Sequence, residues 1–505
     1  MSKVLDGNGG GNGHGANGVL PPAKKRTAPP PVAASISEAG ESWVTFQTRD
    51  GLELRGALVR AMRHRAVFEV ENPTVALRLS EALPVFQIVM QGQPVYSGRA
   101  VVRSLVDAGS KIVGEAALDE EQWTDLNLIL AVRKEGQVAR EFKSFIKDWQ
   151  KFYKVLPEFK VAVADMQTFL HDLRLWLNQV ELRLDPTSKP ETARLEKDIG
   201  HQIGQSTTPI LTEMFEKFED ITQRIDADLS AAHEAFARRM LHPLLLCSPF
   251  LHRTYCKPLG YAGDYEMVNM MFRNPLEGES LFAKVVNLWF LKQPPAQAHR
   301  NRIDYLIRML DETAFRARKA GKVPRVLSIG CGPAIEVQQF MARKFFIGPM
   351  HFTLLDFNQE TLNYTRGILE RIKSHCHNDM SVEFVHKSVE RILREGNRRA
   401  TSPGEGYDFV YCAGLFDYLA DPICQRLMDI MYEWVNPKGL LVATNVSTSN
   451  PRKPTMDYIM DWHLIYRSAH DLSRLKPGHA PADECIVKAD DTGVNIFMEA
   501  KKSSE

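Results

Sequence analysis

The sequence predicts a multidomain α/β protein: a small β-barrel, a helical region, and a mostly parallel C-terminal sheet that ends in an antiparallel hairpin. Three observations predict it. Val326-Leu327-Ser328-Ile329 breaks into Gly330-Cys331-Gly332 and a helix-like pattern, and a second apolar run, His351–Leu355, ends in Asp356. Strand, glycine turn, helix, strand and acid, in that order, hold a nucleotide-like ligand at the edge of a parallel sheet. Upstream, the hydrophobic period is two over residues 41–120 and helical over 121–240. Near the end, Glu484–Asp490 and Val494–Ala500 flank a short turn with Asp491 and Gly493, the pattern of a hairpin.

Composition narrows the class. A chain of 505 residues has room for several domains. Its 63 Lys and Arg balance 62 Asp and Glu. No net field therefore draws in nucleic acid or another polyanion. All seven cysteines lie at or beyond Cys247, without a C-x-x-C pair or zinc-like spacing. They read as reduced thiols of a cytoplasmic protein, and no metal site is expected. No apolar run is long enough to span a bilayer, and the start has no signal-peptide core.

Residues 1–40, with Gly7-Asn-Gly-Gly-Gly-Asn-Gly13 and proline runs, offer too little apolar surface to offset ordering entropy, so a disordered tail is expected. Within 41–120, Trp43–Phe46, Ala66–Val70, Val85–Val89 and Ala100–Val106 alternate apolar and polar residues between turns, which predicts a small barrel. Over 121–240, Trp123, Leu126, Ile129, Val132, Phe145 and Trp149, then Met166, Leu170, Leu173 and Leu177, recur mostly at helical steps. Pro157, Pro186 and Pro190 are expected to interrupt these helices, and a further helix to run from about Leu211 to Met240. Such helices pack on each other or on a second copy, so a homodimer through this region is one expected assembly. Residues 241–322 centre on Lys257–Asn269, where glycines flank Tyr261, Asp264 and Tyr265. That fits a lid or substrate-side element, while Asp264 also stands where it can cap the next helix. Residues 323–505 carry the sheet.

The barrel pattern, with Glu69-Val-Glu-Asn72 and Gly98-Arg-Ala-Val-Val102, is similar to PilZ domains, the bacterial cyclic-di-GMP receptors. That family's R-x-x-x-R stretch and D/N-x-S-x-x-G turn are missing, and Arg60, Arg63 and Arg65 have a different spacing. Without paired arginines there is no phosphate clamp. Cyclic-di-GMP binding is not expected, and the barrel reads as a docking module.

The glycine turn also says which nucleotide. A dinucleotide fingerprint needs a third glycine where Ile335 stands, and Glu336 would repel a pyrophosphate at the helix N-terminus. S-adenosylmethionine has no phosphate, and its ammonium tolerates an acid nearby. With the final hairpin, residues 323–500 resemble a class I S-adenosylmethionine-dependent methyltransferase with its Rossmann-like sheet. The resemblance implies cofactor contacts from Gly330, Cys331 and Gly332, with Asp356 on the ribose hydroxyls and Phe357 beside it. Ser388 and Val389, after the third strand Val382–His386, are expected near the adenine, and Ala413 at the exit of the fourth strand Tyr407–Cys412. Asp417 and Tyr418 follow that exit and are the best-placed polar groups for the substrate. Trp462, His463, Tyr466 and Arg467 are expected on a helical stretch at the acceptor site. Tyr261, Asp264 and His463 complete the catalytic candidates, although a lone histidine is more often structural.

Pro258–Met267, the sheet, and Asp461–Arg467 together resemble a bacterial group linked to 3-hydroxypalmitic acid methyl ester biosynthesis. The resemblance implies a small, lipid-like acceptor: a fatty or hydroxy-fatty carboxylate converted to its methyl ester. Such an acceptor is already ionised at neutral pH, with a pKa of roughly 4 to 5. It needs no general base, only alignment and exclusion of water. Two other readings stay open. One is a methyltransferase for another small metabolite or a protein, which needs a base such as His463 or Asp417. The other is a non-catalytic, cofactor-sensing scaffold that recruits a partner through its N-terminal half.

Overall fold

The computed structural model describes residues 42–48, 53–71, 77–90, 92–107, 111–119, 122–123, 142–143, 146, 155–184, 189–343, 348–376, 379–396 and 406–503. The expected N-terminal tail, the periodic residues Leu126, Ile129, Val132, Phe145 and Trp149, and Pro186 lie outside them.

Six antiparallel strands close a barrel in the order β1-β2-β3-β6-β5-β4. They are β1 Trp43–Gln47, β2 Glu53–Met62, β3 Arg65–Val70, β4 Ala82–Met90, β5 Gln93–Asp107 and β6 Ile112–Leu118. Alternation sends Ala66, Phe68 and Val70 of β3 inward. Phe46, Phe68 and Phe86 meet there with ring centroids 5.2 to 5.8 Å apart. A Cβ at Gly114 would lie 2.8 Å from the Phe68 ring, so only glycine leaves that ring its place. Trp123 does not open a helix as expected. It bridges to Tyr96, packs 5.3 Å from that ring, and donates its indole N–H to the Arg63 carbonyl at 2.8 Å. The indole gains a partner and an apolar face on the barrel, which outweighs its helical spacing.

Helices α1 Pro157–Glu181, α2 Lys189–Thr222, α3 Ala227–Leu245, α4 Pro249–Cys256, α5 Tyr265–Phe272 and α6 Leu281–Leu291 follow. Pro157 and Pro190 begin helices rather than interrupting them: they stand in the first turns of α1 and α2, where a missing N–H leaves no carbonyl unpaired. The single helix expected over Leu211–Met240 is two, because the chain turns after Thr222 and Asp226 is extended before α3. The turn lets α3 fold back onto α1. Phe159, Phe215, Phe218, Trp289 and Phe290 fill the core, with Phe215 stacked on Trp289 at 4.2 Å. Among the described residues no helix is long and apolar enough to cross a membrane.

The sheet region comprises α7 Pro294–Lys319, β7 Arg325–Ile329, α8 Ile335–Met341, β8 His351–Asp356, α9 Gln359–Cys376, β9 Ser381–His386, α10 Val389–Glu395, β10 Tyr407–Cys412, α11 Asp421–Trp434, β11 Val435–Val446, α12 Lys453–Tyr458, α13 Ala469–Ser473, β12 Cys485–Ala489 and β13 Asn495–Lys501. Strand order is β12-β13-β11-β10-β7-β8-β9. The pairs from β9 through β11 are parallel, and β13 is antiparallel to both its neighbours. Strand order reverses around β7, so a crevice opens beyond its carboxyl end, where such sheets bind ligands. The segment Trp462–Tyr466 is not helical. Asp461, at φ 53°, turns the chain out of helix after α12. The buried Arg467 then fixes it by donating to the carbonyls of Phe416 and Leu419 and to Asn445 and Asp421.

Barrel, helices and sheet meet at a buried ionic cluster. Arg103 of β5 pairs with Glu234 of α3 at 2.5 Å. One turn on, Arg238 donates to the Tyr458 carbonyl at 2.7 Å and to Asp461 at 3.0 Å. Breaking a buried pair leaves its partner charge uncompensated, which costs about 3–5 kcal/mol. Arg238→Ala should lose stability of that order, read by urea denaturation of the full chain.

Candidate active site

The β7–α8 turn is built for close approach. Gly330 and Gly332 have φ of 67° and 52°, a region side chains resist. The amides of Gly330 and Cys331 both donate to the Leu355 carbonyl, at 2.8 and 3.0 Å. The Gly332 amide donates to Asp356 Oδ2 at 3.0 Å, and the Asn358 amide to Oδ1 at 2.9 Å. Asp356 is thus oriented by two backbone donors, one on each carboxylate oxygen. A Cβ at Gly332 would meet no described atom within 4 Å, so the turn faces open space.

That space is one continuous cavity. Gly330, Cys331, Gly332, Asp356, Phe357, Val389 and Ala413 line it, as do Tyr261, Asp417 and Tyr418. Burial raises the Glu336 carboxyl, which accepts the Tyr411 hydroxyl at 2.7 Å. Burial likewise raises Asp417 to about 6, and its Oδ1 accepts the Val446 amide at 2.6 Å. The Tyr418 hydroxyl accepts the Trp462 indole N–H at 2.9 Å. A Cβ at Gly263 would sit 2.8 Å from that hydroxyl, so the Tyr261–Tyr265 loop can approach only through glycine.

Three expected residues lie apart from the cavity lining. Ser388 caps α10, its hydroxyl accepting the Arg391 amide at 3.4 Å. His463 spends both ring nitrogens on carboxylates, Asp457 at 3.2 Å and Asp461 at 3.1 Å. Burial, and then Arg103, would lower its pKa, but the hydrogen bonds to these acids raise it. Asp264 is buried, accepts the Met267 amide at 2.8 Å as cap of α5, and pairs with Arg253 at 2.9 Å.

Sequence reasoning missed Arg302. It is 6 % exposed, and its Nε has no hydrogen-bond partner among the described residues. Nη2 lies 2.8 Å from His299 Nδ1. Since a guanidinium only donates, that nitrogen accepts and the other ring nitrogen carries the proton. Burial, and then Arg302 and Arg300, hold His299 well below its usual pKa and neutral. Arg302 reaches Gly414 beyond β10, where a Cβ would be 3.1 Å from Nη1. The signal was present in α7: Arg302 interrupts the buried stripe Ala298, Leu306, Leu310 at helical spacing.

Residues 298–479 match a family model described as a methyltransferase domain. This part of the chain is a methyltransferase domain. Such a domain is an enzyme's, and the donor that the sequence resemblance implies is S-adenosyl-L-methionine. Among solved structures, the chain is similar to a possible exported protein from Bordetella parapertussis, with 15% identity over 50% of this chain and 86% of that one, TM-score 0.36. It is similar to magnesium protoporphyrin IX methyltransferase from Synechocystis PCC 6803 with bound SAH, with 11% identity over 43% and 87%, TM-score 0.30. It is also similar to N-methyltransferase NodS from Bradyrhizobium japonicum WM9, with 14% identity over 47% and 97%, TM-score 0.28. No curated protein matches. The methyltransferase domain's own residues fit the donor: an open glycine turn for the backbone approach, Asp356 as a diol acceptor, and an unsatisfied Arg302 for a carboxylate.

Asp356→Ala should weaken S-adenosylmethionine binding by about tenfold to over a hundredfold, the worth of roughly 1.5–3 kcal/mol in charged hydrogen bonds, measured by calorimetry. Asp264→Ala tests the loop separately. Loss of the cap, worth about 1–2 kcal/mol, and of the Arg253 pair, worth up to about 3–5 kcal/mol, should lower the Tm, while cofactor affinity and turnover of the folded fraction stay at the parent level.

Proposed function

We propose that this chain is an S-adenosylmethionine-dependent O-methyltransferase that converts a fatty or hydroxy-fatty carboxylate to its methyl ester. The course of the cavity carries the reading. Beyond the glycine turn it runs among the helices, where Phe250, Met267, Met271, Phe290, Met456 and Met460 form its wall. All six are buried. Each methylene moved from water into such a wall is worth about 0.8 kcal/mol, and methionine side chains adapt to a flexible chain. Arg452 and Gln293 also line this cavity, joined by an Nε–Oε1 hydrogen bond of 2.9 Å, and offer polar partners for a hydroxyl on the acyl chain.

The cofactor supplies an electrophilic methyl on its sulfonium. The chain's part is to bind, orient and keep out water. Tyr418 and Trp462 are tied to each other, and the Asp417 carboxylate is tied to the β11 backbone, so this end of the cavity is rigid. A carboxylate acceptor arrives ionised and asks for no proton acceptor.

Asp417 favours one other reading. A buried carboxyl with a pKa of about 6 in the cavity can take a proton from a hydroxyl or amine acceptor. The two readings differ in pH dependence. A carboxylate acceptor makes kcat flat from pH 6 to 8, whereas a general base loses activity as pH falls through about 6, where Asp417 takes up its proton. Asp417→Asn keeps an oxygen for the Val446 amide. It should leave ester formation within a few-fold of parent, against a loss of about 10²–10⁴ for a base. The assay is S-adenosylhomocysteine release with long-chain acids and 3-hydroxy acids. Cofactor binding with no turnover on any acid would reject the esterification reading.

A further inference from the structure

The barrel reaches into the cavity. Arg78, Leu79 and Glu81, which lead into β4, line it together with Asp356 and Phe357. The Arg78 guanidinium lies 4.2 Å from the Phe357 ring centroid and 3.6 Å from Glu390 of α10. Phe357 directly follows the acid that closes β8, and Glu390 directly follows Val389. Arg78 thus spans from one side of the expected adenine slot to the other.

The segment carrying Arg78 is held in place from several directions. The Arg78 amide donates to Glu81 Oε2 at 2.9 Å. Ser80, fully buried at φ 61°, donates to the His463 carbonyl at 2.8 Å and accepts the His463 amide at 2.7 Å. The Ala82 amide donates to the Gly260 carbonyl at 2.8 Å, beside Tyr261, whose ring packs 5.5 Å from Phe357. A side chain serving only to dock two domains would have no reason to end over a cavity wall. Here the Ser80 hydroxyl and the Ala82 amide do the docking, and the arginine projects onward to the aromatic ring.

We infer that Arg78 of the barrel is a cofactor-binding residue: it closes the adenine end of the methyltransferase site over Phe357, so the barrel is part of that site. A guanidinium on an aromatic ring contributes about 0.5–2 kcal/mol, more where water is excluded. Its planar group can stack on a purine as it does on Phe357, which an ammonium cannot do. The inference rests on the reading that Asp356 and Phe357 hold the cofactor.

The test uses the full chain with S-adenosylhomocysteine as titrant, by calorimetry, with Tm recorded on the same preparations. Arg78→Ala should weaken binding about threefold to thirtyfold with Tm little changed, and Arg78→Lys should recover only part of the loss. Arg55→Ala removes a like contact, a guanidinium 4.2 Å from the Trp43 ring on the barrel surface, and should leave binding at the parent level. Parent-like affinity in Arg78→Ala, or an equal loss in Arg55→Ala, overturns the inference. If Asp356→Ala loses affinity while Arg78→Ala does not, the cofactor site stands and only the barrel's share in it falls.

Discussion

Asp461 is the charge on which the arrangement turns. It is 2 % exposed, in a left-handed conformation, and it accepts from Arg238 of α3, Lys257 of the loop before α5, and His463. Burial alone would raise its pKa, but Arg238, Lys257 and His463 hold it well below the usual carboxylate range. A carboxylate kept ionised in the interior must be met by cations at fixed places. Two of those places belong to segments that wall the cavity: the loop before α5, which continues through Tyr261 to Met267, and the chain after α12, which carries Met460 and Trp462. The third, Arg238, ties both to α3, and the barrel joins them through the Ser80–His463 bonds. Lys257 carries the opposite cost, with burial lowering it to about 7. Its folded pKa lies below its unfolded one, so the unfolded chain binds more protons and this group favours folding more as pH rises from 7 towards 10.5.

At the cofactor edge the logic is complementary. Negative groups there are Asp356, Glu336 and Asp417, yet two of the three are pushed towards neutrality by burial. Asp356 keeps two backbone donors. On the proposed reading Asp356 takes the ribose diol, and Arg302, whose Nε has no partner among the described residues, takes the carboxylate of the cofactor's amino acid. A pyrophosphate would ask for free amides at the start of α8, where Glu336 stands instead.

Much of this was legible in the sequence, for reasons that differ from element to element. The sheet was, because buried parallel strands must be continuous apolar runs, and Gly330-Cys331-Gly332 with Asp356 announces its own backbone chemistry. The barrel was, because one face of each strand is buried and period two follows. Local pattern could not show where polar groups are spent. Ser388, Asp264 and His463 have the right types at the right places, and each is consumed by a cap or an ion pair formed with residues near in sequence. Trp123 and the Trp462–Tyr466 segment were misread because a helical spacing of apolar residues arises by chance over a few residues. Tertiary partners such as Tyr96 and Asn445 then decide. Arg302 was the reverse case: a charge in an apolar stripe is a signal in itself, since burying a guanidinium with its Nε unpaired is costly.

If the acceptor is an acyl chain, as proposed above, the regions ahead of the methyltransferase domain have a physical task. The sheet provides one wall for a cofactor but only the strand ends for an acceptor. Without α4, α5 and α6, Phe250, Met267, Met271 and Phe290 would be missing and the apolar part of the cavity would open to water. An acyl chain gains its binding energy only where water is displaced on all sides. The helices do not stand alone, because the barrel holds the loop before α5 through Ala82–Gly260 and the end of α4 through Arg99–Tyr255. The cavity therefore depends on contacts far apart in sequence, between residues near 80, 260 and 460. On the proposed esterification reading, enclosure of an apolar acceptor is the requirement that brings all three to one place.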